Sequence, residues 1–143
     1  MIPQSAVWER LRQLYESVEN QVARDLQREF QLGLTEYRAL RLLSTAPNSE
    51  LRMQELAAQL GLNQSSVTRL VGRLERNGYT VRDVCPDDKR GVYSVITENG
   101  RKIQEKAAEH YERFLEAALE RSATEVVSRD IVESLRKLSA ANG

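Results

Sequence analysis

The sequence predicts a mainly α-helical chain with one small β-hairpin. Apolar residues recur every three or four positions through most of its length. One stretch departs from that period: residues 79–97 are rich in β-branched and aromatic side chains around a polar turn ending in Gly91. A length of 143 residues, with 29% charged and 6% aromatic, suits one soluble unit with a modest core.

The first element is a long amphipathic helix over residues 5–30. Val7, Trp8, Leu11, Leu14, Tyr15, Val18, Val22, Leu26 and Phe30 form its stripe, and Gly33 is expected to end it. Thr35 is placed to cap a second helix whose buried side holds Leu40, Leu42 and Leu43. Ala46-Pro47-Asn48-Ser49 closes that helix with turn residues. Two short helices follow, over about 53–60 and 64–77, with Gly61 at the turn between them. Asn63 can cap the second, because its side chain accepts from a free amide of the first turn. Asn77-Gly78 stops it. Tyr79–Cys85 and Val92–Thr97 then read as an antiparallel hairpin. Thr97 caps a long helix over about 98–121, striped by Ile103, Ala107, Tyr111, Phe114, Leu115, Ala118 and Leu119. Ser122-Ala123-Thr124 interrupts it, and a last helix carries Val126, Val127, Ile131, Leu135 and Leu138.

The helix at 64–77 carries the functional signal. At 100° per residue, Val67, Leu70, Val71 and Leu74 share one face, while Ser65, Arg69, Gly72, Arg73 and Arg76 occupy the opposite arc, bordered by Ser66 and Thr68. Glu75 is the only acid between 63 and 77. A short helix, a glycine turn and a helix with an outward face of Ser, Thr, Gly and Arg has the geometry of a major-groove reader. Arginine can pair bidentately with guanine, serine and threonine can meet phosphates or base edges, and Gly72 lets the backbone approach closely. The hairpin reads as a wing tipped by Asp88, Lys89 and Arg90, and an arginine there suits a narrow minor groove. Asp88 either fixes the rotamer of Arg90 or Arg73 or simply supplies good turn chemistry in Pro86-Asp87-Asp88. The DNA-binding set is therefore Asn63, Gln64, Ser65, Ser66, Thr68, Arg69, Arg73, Arg76, Asp88, Lys89 and Arg90. The alternative is a winged helix used for protein contact without DNA.

Other function classes find little support. Formal net charge is zero, so whole-chain charge argues neither for nor against nucleic acid. His110 and Cys85 are the only histidine and cysteine and lie on separate elements, and there is no glycine-rich phosphate loop, so no enzyme is expected. No metal site, no cofactor and no disulfide framework is expected either. Cys85 reads as a packed residue at the base of the wing. Neither a membrane-length apolar run nor a basic-then-apolar leader is visible, so a cytoplasmic protein is expected.

These motifs together resemble the MarR family of bacterial winged helix-turn-helix transcriptional regulators, including its SlyA-like members. The resemblance rests on Ser66-Val67-Thr68-Arg69-Leu70, Leu74-Glu75-Arg76-Asn77-Gly78-Tyr79, Asp88-Lys89-Arg90-Gly91 and Ile96-Thr97-Glu98-Asn99-Gly100. It covers nearly the whole length. It implies one MarR-type domain over 1–143, with a winged-helix DNA-binding lobe at 34–97 and a helical dimerisation lobe from 5–30 and 98–140. It also implies a homodimer on a double-stranded, pseudo-palindromic operator. The usual role is a repressor, released by a small phenolic or anionic ligand bound between the lobes. The long apolar stripes of the terminal helices independently ask for a partner. Two features depart from the family pattern. Arg52 stands where a small hydroxyl residue often caps the first short helix, and Lys89 replaces a more usual wing arginine. Trp8, Leu11, Arg12, Tyr15, Tyr37, Arg38 and Arg41 are the candidate effector residues, since aromatic walls with an arginine suit an aromatic carboxylate.

Overall fold

The computed structural model describes residues 1–84 and 91–143. In order, these form α1 (Gln4–Phe30), α2 (Leu34–Thr45), a 3-10 turn (Pro47–Ser49), β1 (Glu50–Arg52), α3 (Met53–Leu60), α4 (Gln64–Arg76), β2 (Thr80–Val84), β3 (Val92–Ile96), α5 (Glu98–Ser122) and α6 (Val126–Asn142). The chain divides into two compact units, Phe30–Glu109 and Met1–Glu29 with His110–Gly143. The division runs through α5 and not along its start.

The Phe30–Glu109 unit is a helical cluster backed by a small sheet. Leu40 and Leu43 of α2, Leu56 of α3, and Val67, Val71 and Leu74 of α4 are wholly buried together with Leu32. The turn between α3 and α4 is closed by Gly61 in the left-handed region (φ 67°), and the Leu62 amide donates back to the Ala57 carbonyl at 2.9 Å. The end of α4 uses the same device. Gly78 has φ 76°, and the Tyr79 amide reaches the Leu74 carbonyl at 2.9 Å. The three strands are antiparallel in the order β1-β3-β2. Leu51 faces Ser94 across β1–β3, and Thr80 faces Ile96 across β2–β3. All four are buried, so one face of the sheet closes the core. The predicted hairpin thus supplies two strands of a three-stranded sheet, with β3 at its centre. The strand absent from the sequence reading, β1, is only three residues long and shows no alternation of its own.

Two predicted helix boundaries are corrected. The end of α1 is made by Gln31, which takes φ 50°, and not by Gly33, whose φ is −72°. Gly33 is instead the residue before α2, and Thr35 lies inside that helix. The buried Leu34 sets the earlier start, and the Gly33 carbonyl accepts the Tyr37 amide at 2.9 Å. The Glu36 side chain folds over Gly33, where an added Cβ would lie 3.0 Å from its Oε1.

Arg52 before α3 lacks a capping hydroxyl, yet half of a capping box survives. Its amide donates to Glu55 Oε1 at 3.1 Å, while its side chain donates to Tyr93 Oη at 2.9 Å. Thr97 caps α5 as predicted: its hydroxyl accepts the Gly100 amide at 3.1 Å and donates to the Gly78 carbonyl at 2.6 Å. Arg101 then donates to the Ser44 carbonyl at 3.4 Å and to the Ser49 hydroxyl. These bonds bring the first turns of α5 into this unit.

In the other unit, Leu14, Val18, Val22 and Leu26 of α1 pack inward with Phe114 and Ala118 of α5 and Val132 of α6. A polar clasp crosses α1 and α5. Ser17 and Ser122 share a hydroxyl contact of 2.8 Å, and Arg121 Nε donates to Gln21 Oε1 at 2.7 Å. Glu125 caps α6, accepting from the Ser128 amide at 2.7 Å and the Val127 amide at 3.0 Å. Desolvation pushes its pKa upward, but these amides and the Ser128 hydroxyl outweigh that and hold it below the ordinary carboxylate value. Within the predicted α6 stripe, Val126, Leu135 and Leu138 remain exposed, whereas Val132, outside that stripe, is buried.

Candidate nucleic-acid interface

The α4 helix sorts its faces as its sequence dictates. Val67, Leu70, Val71 and Leu74 are buried, while Gln64, Ser65, Thr68, Arg69, Arg73 and Arg76 are exposed and Ser66 is half-buried. Asn63 Oδ1 accepts from the Ser66 amide at 2.8 Å and from the Ser65 hydroxyl at 2.9 Å. That oxygen is therefore committed to the helix start, and the side-chain amide nitrogen is the group left for a ligand. Thr68 donates its hydroxyl hydrogen to the Gln64 carbonyl at 2.8 Å, which leaves it acceptor capacity.

The three arginines differ in what holds them. Arg69 Nη2 lies 3.4 Å from the Ser66 hydroxyl, a long contact on the same helix. Arg73 Nε lies 3.5 Å from Glu36 Oε1 on α2. Arg76 sits in the last turn, where positive charge also suits the helix dipole. Glu75, the single acid of the segment, is taken up by Arg82 of β2. Its charge is thereby masked beside the arginine face. Glu36 and Arg82 were absent from the sequence reading. Arg82 lies on the first hairpin strand close after α4, whereas no local spacing links residue 36 to residue 73. Asp88, Lys89 and Arg90 of the wing tip, and Cys85, lie outside the described residues.

The candidate effector residues fall in both units. Trp8, Leu11 and Tyr15 are exposed along α1. Arg12, between them, donates to Glu9 through Nε at 3.1 Å and to Glu16 through Nη1 at 2.8 Å. The Arg12 bond holds the Glu9 carboxyl below its ordinary value. A carboxylate ligand would have to compete with those two acids. On α2, Tyr37 is buried in the core, Arg38 is half-buried and Arg41 is exposed. No group of three or more histidine, cysteine or acidic side chains placed to hold a metal occurs among the described residues.

Comparison with known proteins agrees with this geometry. Residues 32–92 match the model of the MarR family. The chain is 32% identical over 108 residues to the HTH-type transcriptional regulator FarR of Neisseria gonorrhoeae, covering 74% of this chain and 73% of FarR. The chain belongs to the MarR family. The MarR-family regulator Sco3205 of Streptomyces coelicolor, solved in complex with DNA, superposes with a TM-score of 0.76 at 28% identity, over 96% of this chain and 86% of that one. NadR, solved in complex with 4-hydroxyphenylacetate, superposes with a TM-score of 0.63 at 29% identity, over 92% and 87% of the two chains. The match to one further curated HTH-type regulator, from Bacillus subtilis (strain 168), spans 58% of that relative's length. The mainly helical fold with its small antiparallel sheet is thus that of a MarR-family transcriptional regulator, and the α3–α4 pair is its helix-turn-helix.

Proposed function

We propose that this MarR-family chain acts as a homodimeric repressor that binds a pseudo-palindromic operator through α4. A small aromatic or anionic ligand releases it. One observation carries the reading: α4 turns Arg69, Arg73 and Arg76 to solvent while its aliphatic face is sealed in the core. In a two-fold dimer the two recognition helices address half-sites about one helical turn, roughly 10 bp, apart. The dimer reading draws on the helical unit. Val126, Leu135 and Leu138 are exposed on α6, and a groove of about 420 Å³ lined by Val7, Val127, Ile131, Leu135 and Leu138 lies open. A single subunit leaves this apolar surface in water, and a second copy would remove it.

The effector reading draws on NadR and its phenolic acid, and on the exposed Trp8 and Tyr15 flanking Arg12. A cytoplasmic location follows from the role; no described helix is long and apolar enough to cross a membrane.

The test is fluorescence polarisation with duplexes from the DNA flanking the gene, run over a salt series. Binding should fall steeply with salt, with a log–log slope of about −0.9 for each phosphate neutralised. Arg69→Ala or Arg76→Ala should flatten that slope. Salt-independent binding, or no binding to any duplex, would overturn the reading in favour of a protein-contact module. A thermal-shift panel of aromatic acids, followed by competition against bound operator, tests the release.

A further inference from the structure

Glu36, on α2, faces the recognition helix from outside it. Its carboxylate is largely shielded, with 13% side-chain exposure, whereas its partner Arg73 is 45% exposed. The contact uses the inner nitrogen of the guanidinium, Nε to Oε1 at 3.5 Å. The two terminal nitrogens have no carboxylate partner among the described residues. The acid folds over Gly33, where an added Cβ would lie 3.0 Å from its Oε1. Glu36 also sits in the first turn of α2, where a negative charge is favoured by the helix dipole.

Arg69 and Arg76 have no such anchor among the described residues. The distinction matters chemically. Neutralising a phosphate needs only a charge within reach, and a mobile arginine serves. Reading guanine O6 and N7 needs a planar fork held in one orientation. A half-buried carboxylate beside Nε restricts the side chain while leaving both Nη groups to donate.

We infer that Glu36 is a positioning residue for sequence readout: it orients Arg73 as the base-reading arginine of α4, while Arg69 and Arg76 supply phosphate contacts. This rests on the DNA-binding reading above and goes further, because it assigns separate roles to the three arginines. The sign is diagnostic. A carboxylate near DNA repels phosphate, so removing it should strengthen sequence-independent binding. A positioning carboxylate, once removed, should weaken discrimination.

The experiment compares the intact protein with Glu36→Gln, Arg73→Lys, Arg73→Ala and the Glu36→Gln/Arg73→Ala double variant. An operator is first selected from a random duplex pool by the intact protein. Affinities for it and for a scrambled duplex are then measured by polarisation at fixed salt. Glu36→Gln should bind the scrambled duplex at least as tightly as the parent, yet its operator-to-scrambled ratio should fall about tenfold, in line with one bidentate base contact. Arg73→Lys keeps the charge, lies on an exposed side chain and should lose a similar factor. In the Arg73→Ala background the Glu36 change should have no further effect on the ratio. An unchanged ratio in Glu36→Gln or in Arg73→Lys overturns the inference. So does an equal loss from Glu36→Gln with Arg73 absent. Failure of the intact protein to select any sequence overturns the DNA-binding reading itself, and the inference with it.

Discussion

Replacing Gly100 by alanine should destabilise this protein, although a glycine-to-alanine change inside a helix ordinarily stabilises by about 1 kcal/mol. Gly100 lies in the first turn of α5 and is buried. An added Cβ would sit 2.2 Å from the Tyr79 carbonyl oxygen and 2.8 Å from Ile96 Cγ1. The nearer obstacle is backbone, so it cannot swing aside as a flexible side chain would. Relief requires a movement of roughly 1 Å between α5 and the chain leaving α4. That movement strains the bond from the Thr97 amide to the Tyr79 carbonyl (3.0 Å) and the bond from the Thr97 hydroxyl to the Gly78 carbonyl (2.6 Å). Each is worth about 1 kcal/mol, and overpacking adds about 1–3 kcal/mol. Against the helix-propensity gain, the net loss is roughly 2–4 kcal/mol. With a urea slope of about 2 kcal/mol/M, the midpoint should fall by about 1–2 M. Urea unfolding at one fixed protein concentration reads this directly. A midpoint equal to or above the parent's would refute the packing argument.

Three further outcomes are expected. Gly72→Ala should go the other way in stability, gaining about 1 kcal/mol in urea unfolding, because its Cβ would meet only Arg76 Nη1 at 3.5 Å. If the α4 backbone approaches DNA there, the same variant loses about tenfold or more in polarisation-measured operator affinity. Leu135→Asp should leave circular dichroism intact but shift the sedimenting mass from twice 16.3 kDa to 16.3 kDa, since it puts a charge on the exposed α6 face. Glu125→Ala should destabilise at neutral pH through loss of the α6 cap. The folded pKa of Glu125 is depressed, so its contribution is complete above the unfolded value, near 4.5, and is lost as pH falls through the folded one. The gap between parent and variant in urea unfolding should therefore narrow on acidification, and a gap that widened would contradict the cap.

The helices and the arginine face were legible because they depend on period. Val67, Leu70, Val71 and Leu74 recur at helical spacing, and burial follows from that alone. The ends of α1 and α2 were harder. Gly33 and Thr35 are the residue types that stop and start helices, yet the buried Leu34 and the Tyr37 amide moved the boundary. Trp8 and Leu138 fall on apolar stripes by their spacing, yet both are exposed, because spacing alone does not say what covers a stripe. Glu36 against Arg73 was invisible for a different reason. Thirty-six intervening positions separate the pair, and only the packing of α2 on α4 brings an ordinary helix-surface acid to the reading face.

The little strand β1 has a bearing on how this reader could be transplanted. A two-stranded ribbon is marginal in water by itself, but here β3 is flanked on both sides, with Glu50 paired to Val95 and Arg52 to Tyr93. The Arg52 guanidinium also rests 5.5 Å above the Tyr93 ring. A fragment that keeps the hairpin aligned with α3 and α4 therefore has to include Glu50–Arg52 as well as Leu40 and Leu43 of α2, which share their core. A graft cut at Met53 would carry the arginine face of α4 and still lose the brace on β3.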